Sequence, residues 1–128
     1  MTLEVRLSWS ADERGGLIGW LEVRNSGENV VRLAGKPGLR PLGLDGAPLA
    51  TECVVTLELR TPDYVDVPSG GTARAPVGWG GWDGPPAGGQ VEVSFSGRTY
   101  TVDVDGPAQP PGRGPGTNLW SNWFEISS

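Results

Sequence analysis

The feature that most constrains this chain is a two-residue alternation of apolar and polar side chains that recurs along its length. Leu3, Val5, Leu7 and Trp9 alternate with Glu4, Arg6 and Ser8. Leu17, Gly19, Leu21 and Val23 come next, with Ile18, Trp20, Glu22 and Arg24 on the opposite side. Further sets are Val55, Leu57 and Leu59; Ala73, Ala75, Val77 and Trp79; Val91, Val93 and Phe95; and Tyr100, Val102 and Val104. Successive side chains of a strand point to opposite faces, so each set predicts a strand with one buried and one wet face. No run carries the 3.6-residue period of a helix.

Turn chemistry separates these runs. Asn25-Ser26-Gly27 and Ser96-Gly97 suit tight hairpins, Asp45-Gly46 is a turn pair, and Pro68-Ser69-Gly70-Gly71 marks a reversal. The 21 glycines and 12 prolines have no collagen period and are read as turns. In 128 residues the pattern predicts one all-β domain spanning residues 1–128, an antiparallel immunoglobulin-like β-sandwich of seven to nine strands. Residues 106–117 are too rich in Pro and Gly to pair as a central strand and predict an extended connection over the surface. A closing strand follows over 119–127, in which Trp120, Asn122, Phe124 and Ile126 share a face and Trp123 takes the other.

Four strings occur in a fixed order: Leu21-Glu22-Val23-Arg24-Asn25-Ser26-Gly27, Gly35-Lys36-Pro37-Gly38-Leu39-Arg40, Leu42-Gly43-Leu44-Asp45-Gly46-Ala47-Pro48-Leu49 and Val67-Pro68-Ser69-Gly70-Gly71-Thr72-Ala73. Over roughly residues 15 to 100 this order resembles a family of actinobacterial domains of unknown function with an immunoglobulin-like sandwich fold. The resemblance implies the fold and brings no activity or site residues. Members of that family are usually exported and often carry paired cysteines; here Val30 and Val31 follow the Asn25-Ser26-Gly27 turn, where a cysteine is common.

The catalytic inventory is thin. Histidine is absent, which removes the commonest general base and metal ligand and with it Ser–His and Cys–His nucleophile pairs. Lys36 is the single lysine and has no Ser-x-x-Lys spacing. The glycine-rich stretch Gly78-Trp79-Gly80-Gly81-Trp82-Asp83-Gly84 lacks the Lys-Ser/Thr ending of a phosphate loop. The sequence therefore predicts a protein that is not an enzyme and holds no cofactor. Calcium is the one metal considered, through strand-end Asp63, Asp66, Asp83, Asp103 and Asp105. The favoured reading is that those acids simply face water.

A net charge of −5 with scattered basic residues argues against nucleic acid, whose phosphates need clustered Lys and Arg. No stretch approaches the roughly 20 apolar residues that span a membrane. Cys53 is the only cysteine, so no intramolecular disulfide forms; its strand setting predicts a buried, inert thiol. Without a basic and apolar leader ahead of the first strand, the expected compartment is the cytoplasm, or outside it if a leader has been trimmed.

The six tryptophans are the unusual feature, several-fold above a typical rate of about one per hundred residues. Trp79 continues an apolar face and is expected to be buried, while Trp82, flanked by glycines and without an alternating partner, is expected to be exposed. In a domain poor in Ile and Phe, Trp also supplies core volume. The leading functional expectation is a non-catalytic protein-interaction or scaffolding module that binds another protein or itself through Trp82, Trp123 and an unprotected edge strand. The alternative is carbohydrate binding, with Trp82, Trp123 and Tyr64 as a stacking platform and Asp63, Asp66 or Asp83 bonding hydroxyls. A fainter option offers residues 106–117 as an inhibitory loop to a protease.

Overall fold

The computed structural model describes residues 2–114 and 119–127. Among them it has eleven strands and no helix: β1 Leu3–Ala11, β2 Leu17–Asn25, β3 Val31–Ala34, β4 Gly38–Gly43, β5 Cys53–Val55, β6 Tyr64–Val67, β7 Thr72–Trp79, β8 Ala87–Phe95, β9 Arg98–Asp105, β10 Leu119–Ser121 and β11 Glu125–Ile126. Nine of them form one sheet in the order β4-β8-β9-β1-β2-β7-β10-β5, with β11 also on β7, and β3 and β6 form a separate two-stranded ribbon. The all-β expectation holds; the arrangement differs from an antiparallel sandwich of seven to nine strands. Two pairings are parallel, β1 with β9 (Leu7 opposite Val104) and β10 with β5 (Leu119 opposite Cys53).

The end strands of the sheet return towards each other, so the sheet nearly closes. The Cys53 thiol on β5 meets the backbone of Leu39 on β4, and the Ser121 hydroxyl on β10 donates to the Pro37 carbonyl just before β4. Inside the curve, the apolar sets read from the alternation meet: Leu7, Leu21, Val23, Ala73, Ala75, Val77, Val91 and Val93 are all buried. The β3–β6 ribbon adds Val31, Leu33 and Val67 to the same core. Burial of these side chains is worth about 1.5–3 kcal/mol for each large one, so the strands are held by their shared apolar face more than by any one ladder.

Aromatic rings fill much of the core. Trp79 is fully buried, as its place on an apolar face predicts, with Trp9 and Trp82 at ring-centroid distances of 6.0 and 5.7 Å. Phe95 and Phe124 meet edge to face at 5.5 Å. The Ser96-Gly97 turn joins β8 to β9 as the sequence predicts, and both residues have positive φ, 49° and 73°, as a two-residue hairpin turn demands.

Three sequence expectations are corrected. The set Val55, Leu57 and Leu59 does not line the core: β5 ends at Val55, and Leu57 and Leu59 are 95% and 93% exposed. The strand leaves the end of the sheet before the core can reach them. The segment 119–127 is two short strands, not one. Between them the Asn122 amide donates to the Pro76 carbonyl, and the break resets the alternation. Phe124 thus enters the core while Ile126 stays 47% exposed. Finally, Asn25-Ser26-Gly27 does not join neighbouring strands, because β2 pairs with β1 and β7 whereas the chain beyond the turn crosses to the ribbon.

The connection after β9 is described through residues 106–114; residues 115–117 lie outside the described residues. It is docked rather than offered. The Gly112 amide donates to the Gly15 carbonyl, the Trp82 amide donates to the Gly112 carbonyl, and the Ala87 amide donates to the Gln109 side chain. Among the described residues no helix is long and apolar enough to cross a membrane.

Candidate functional site

The tryptophans and carboxylates singled out in the sequence do not assemble into one site. Trp82 is buried, only 6% exposed, with its indole N–H donating to the Pro85 carbonyl at 2.7 Å, so its expected exposure is corrected. The glycines around it do not free it to solvent; they let its loop fold back over the core. Trp123 is half-buried, its N–H donating to the Glu58 carbonyl at 3.0 Å and its ring flanked by Lys36 Nζ at 4.8 Å and the Arg60 guanidinium at 5.8 Å. Tyr64 sits on the ribbon with the Arg32 guanidinium 3.7 Å above its ring. These three rings therefore make no common platform.

The aspartates are similarly dispersed. Arg32 donates twice to Asp66, at 2.8 and 3.2 Å, and this hydrogen bonding holds the Asp66 carboxyl below its ordinary range. Asp103 accepts from Gln90 and Asp105 lies 3.8 Å from Arg6. Asp63 and Asp83 are exposed in separate loops. Among the described residues no three His, Cys, Asp or Glu side chains form a group that could hold a metal ion.

Cys53 is half-buried, and burial pushes its thiol up from the ordinary value against smaller opposing contributions from the Leu39 backbone and Ser121. A raised thiol carries little thiolate near neutrality, and the thiolate is the nucleophile. Iodoacetamide at neutral pH is expected to alkylate Cys53 at least about ten-fold more slowly in the folded protein than in urea. Equal rates would show an accessible, activated thiol instead.

The concave surface with the best-defined chemistry lies elsewhere, on the outer face of β1, β2, β7 and β10. It is an open groove of about 860 Å³ lined chiefly by Ser8, Ser10, Ile18, Trp20, Pro76, Asp105 and Trp120. The register builds it. Trp120 on β10 stands opposite Gly78 on β7, which stands opposite Ile18 on β2, which stands opposite Ser10 on β1. One row away, Pro76 faces Trp20, Trp20 faces Ser8, and Ser8 is beside Asp105 of parallel β9. Each residue has the strand parity opposite to the core set, so this is the wet side of the sheet.

Two indoles shape the groove. Trp120 packs against Gly78, and it can do so because Gly78 has no side chain: a Cβ there would clash with Nε1 and Cε2 of the ring. Trp20 is 40% exposed beside Ile18 at 49%, and the Arg74 guanidinium stacks over its ring at 4.3 Å. A large apolar surface left in water on a regular sheet face marks a contact more often than chance. The polar groups at its rim are two hydroxyls, Ser8 and Ser10, and one carboxylate, Asp105. That set can stack and hydrogen-bond a ligand; it contains no nucleophile–base pair.

Part of this site is visible in the sequence, since alternation sets Ile18 and Trp20 opposite the apolar side of their strand. The pairing of β10 with β7, which brings residue 120 beside residue 78, leaves no local signal. No family model, curated protein or solved structure matches this chain.

Proposed function

We propose that this domain is a non-catalytic binding module that holds a neutral saccharide in the groove floored by Trp20 and Trp120. The observation that carries the reading is the placement of two part-exposed indoles on one outer sheet face, beside the Ser8 and Ser10 hydroxyls and the Asp105 carboxylate. The axial C–H face of a pyranose stacks on an indole, and its equatorial hydroxyls reach sideways to groups such as Ser8, Ser10 and Asp105. The groove volume of about 860 Å³ suits several sugar units lying along the sheet better than one engulfed monosaccharide. The absence of histidine supports binding rather than turnover.

Titration calorimetry with cellohexaose, chitohexaose, xylohexaose and maltohexaose tests this. At least one is expected to bind saturably, and Trp20→Ala or Trp120→Ala to weaken it roughly ten-fold or more, the equivalent of one lost stacking contact. Trp123→Ala should leave it unchanged, because Trp123 lies outside the groove. Failure of all four to bind, or binding that ignores both groove tryptophans, would sink the proposal; so would preference for a proline-rich peptide on the same rings.

A further inference from the structure

The segment 56–60 continues the chain past the end of β5, with one side of its backbone bonded and the other side open. On the used side, the Thr56 amide donates to the Ser121 carbonyl at 3.1 Å. Lys36 Nζ donates to the carbonyls of Thr56 and Glu58, the latter at 2.7 Å, and the Trp123 indole N–H also donates to Glu58. Two side chains thus hold alternate carbonyls, as in an extended chain whose even-numbered residues all turn their amide groups inward. The amide and carbonyl groups of Leu57 and Leu59 have no hydrogen-bond partner among the described residues, and in this geometry they face outward.

The side chains repeat the message. Val55, Leu57 and Leu59 have the spacing of a core-facing strand, yet they are 45%, 95% and 93% exposed. Exposed edges in soluble proteins are normally short, charged or covered. Here the edge carries leucines, and the two charged residues between and after them, Glu58 and Arg60, have no ion-pair partner among the described residues.

We infer that this edge pairs with the same edge of a second copy, antiparallel about a two-fold axis at Leu59, to form a homodimer. The charges select this partner and this register. An axis at Leu59 sets each Leu59 opposite its counterpart as a hydrogen-bonded pair, using the outward amide groups. It also places Glu58 of each copy beside Arg60 of the other, two opposite-charge contacts on one face of the new ladder. An axis at Leu57 would use the same outward amide groups but set Glu58 opposite Thr56, and an axis at Glu58 would oppose two glutamates and use the wrong amide groups. The two Leu59 side chains then cover each other, and Leu57 lies diagonal to Leu59 of the other copy. The contact is independent of the groove, which lies on the outer sheet face.

The interface is small, so a dissociation constant on the order of 100 µM is expected. Sedimentation equilibrium over a range reaching about 1 mM measures it. Glu58→Arg or Arg60→Glu alone should weaken the dimer roughly ten-fold, because each puts like charges together twice. The double swap restores the pairing and should return the constant to within about three-fold of the starting protein. Leu59→Pro, which removes the central amide donor, should abolish association. Circular dichroism melts are expected to be unchanged for all four, since the segment is outside the core. A protein that stays monomeric at 1 mM, a double swap no tighter than the single variants, or a dimer indifferent to Leu59→Pro would overturn the inference.

Discussion

Replacing Trp82 with alanine is expected to lower the unfolding free energy by about 4 kcal/mol, within the usual range for deleting a buried large aromatic. The size follows from where the ring sits. Trp82 is 6% exposed and tilts against Trp79 at 5.7 Å, which in turn meets Trp9 at 6.0 Å, so the three indoles form one continuous block. Gly84 lies directly against the Trp82 ring with no room for a side chain, and the ring's N–H closes on the Pro85 carbonyl. Alanine removes the ring, leaves that carbonyl without its donor, and takes away one wall of Trp79. Alanine keeps the backbone amide of residue 82, which donates to the Gly112 carbonyl, so the loss is that of the ring itself. Urea titration followed by far-ultraviolet circular dichroism measures it. A loss below about 1 kcal/mol would mean that the ring behaves as a surface residue.

That residue also shows where sequence reasoning stops. Alternation reports which side of a strand is apolar, so β1, β2, β7, β8 and β9 are readable, and with them the inward Trp79 and outward Trp20. It cannot report whether a core exists beside an apolar face. Leu57 and Leu59 obey the pattern and stay in water because β5 has already left the sheet. Nor does it speak for irregular segments. Trp82 has glycines instead of alternating neighbours, and its burial depends on Pro85 nearby and on Gly112 thirty residues away. The groove fails to appear for the same reason. Its Trp20 half follows from parity, whereas its Trp120 half depends on β10 reaching β7 and on Gly78 leaving space for an indole.

The near closure of the sheet connects these observations. A flat sheet has two faces of equal standing, but a curved one has an inside that excludes water and an outside that does not. The inside takes Trp9, Trp79 and Trp82; the outside keeps Trp20 and Trp120. Tryptophan therefore serves two purposes in one small domain, and strand parity divides them. The same curvature leaves β5 at the seam, where it pairs with β10 on one side and only approaches β4 on the other. Its continuation becomes the unpartnered edge.

A second large effect is expected at Asn25, a polar side chain with no exposure at all. Its amide group donates to the Asn29 carbonyl at 2.7 Å and to the Val67 carbonyl at 3.0 Å, while its oxygen accepts from the Gly27 amide at 3.0 Å. One side chain thus ties the end of β2, the turn that follows it and the end of β6. Asn25→Ala is expected to cost about 3 kcal/mol, because it strands the buried Val67 carbonyl as well as removing three bonds. Asn25→Asp has nearly the same shape and separates donor loss from packing. Its new carboxylate would face two carbonyl oxygens and donate to neither. Burial beside those dipoles raises the introduced carboxyl above its value in the unfolded chain. A raised folded value means that the penalty is smallest below the unfolded carboxyl range and grows as pH climbs through the folded value. Urea midpoints measured against the parent protein should therefore diverge as pH is raised from about 4 to 7. A gap that is constant with pH would place that side chain in contact with solvent and remove its role as the anchor between sheet and ribbon.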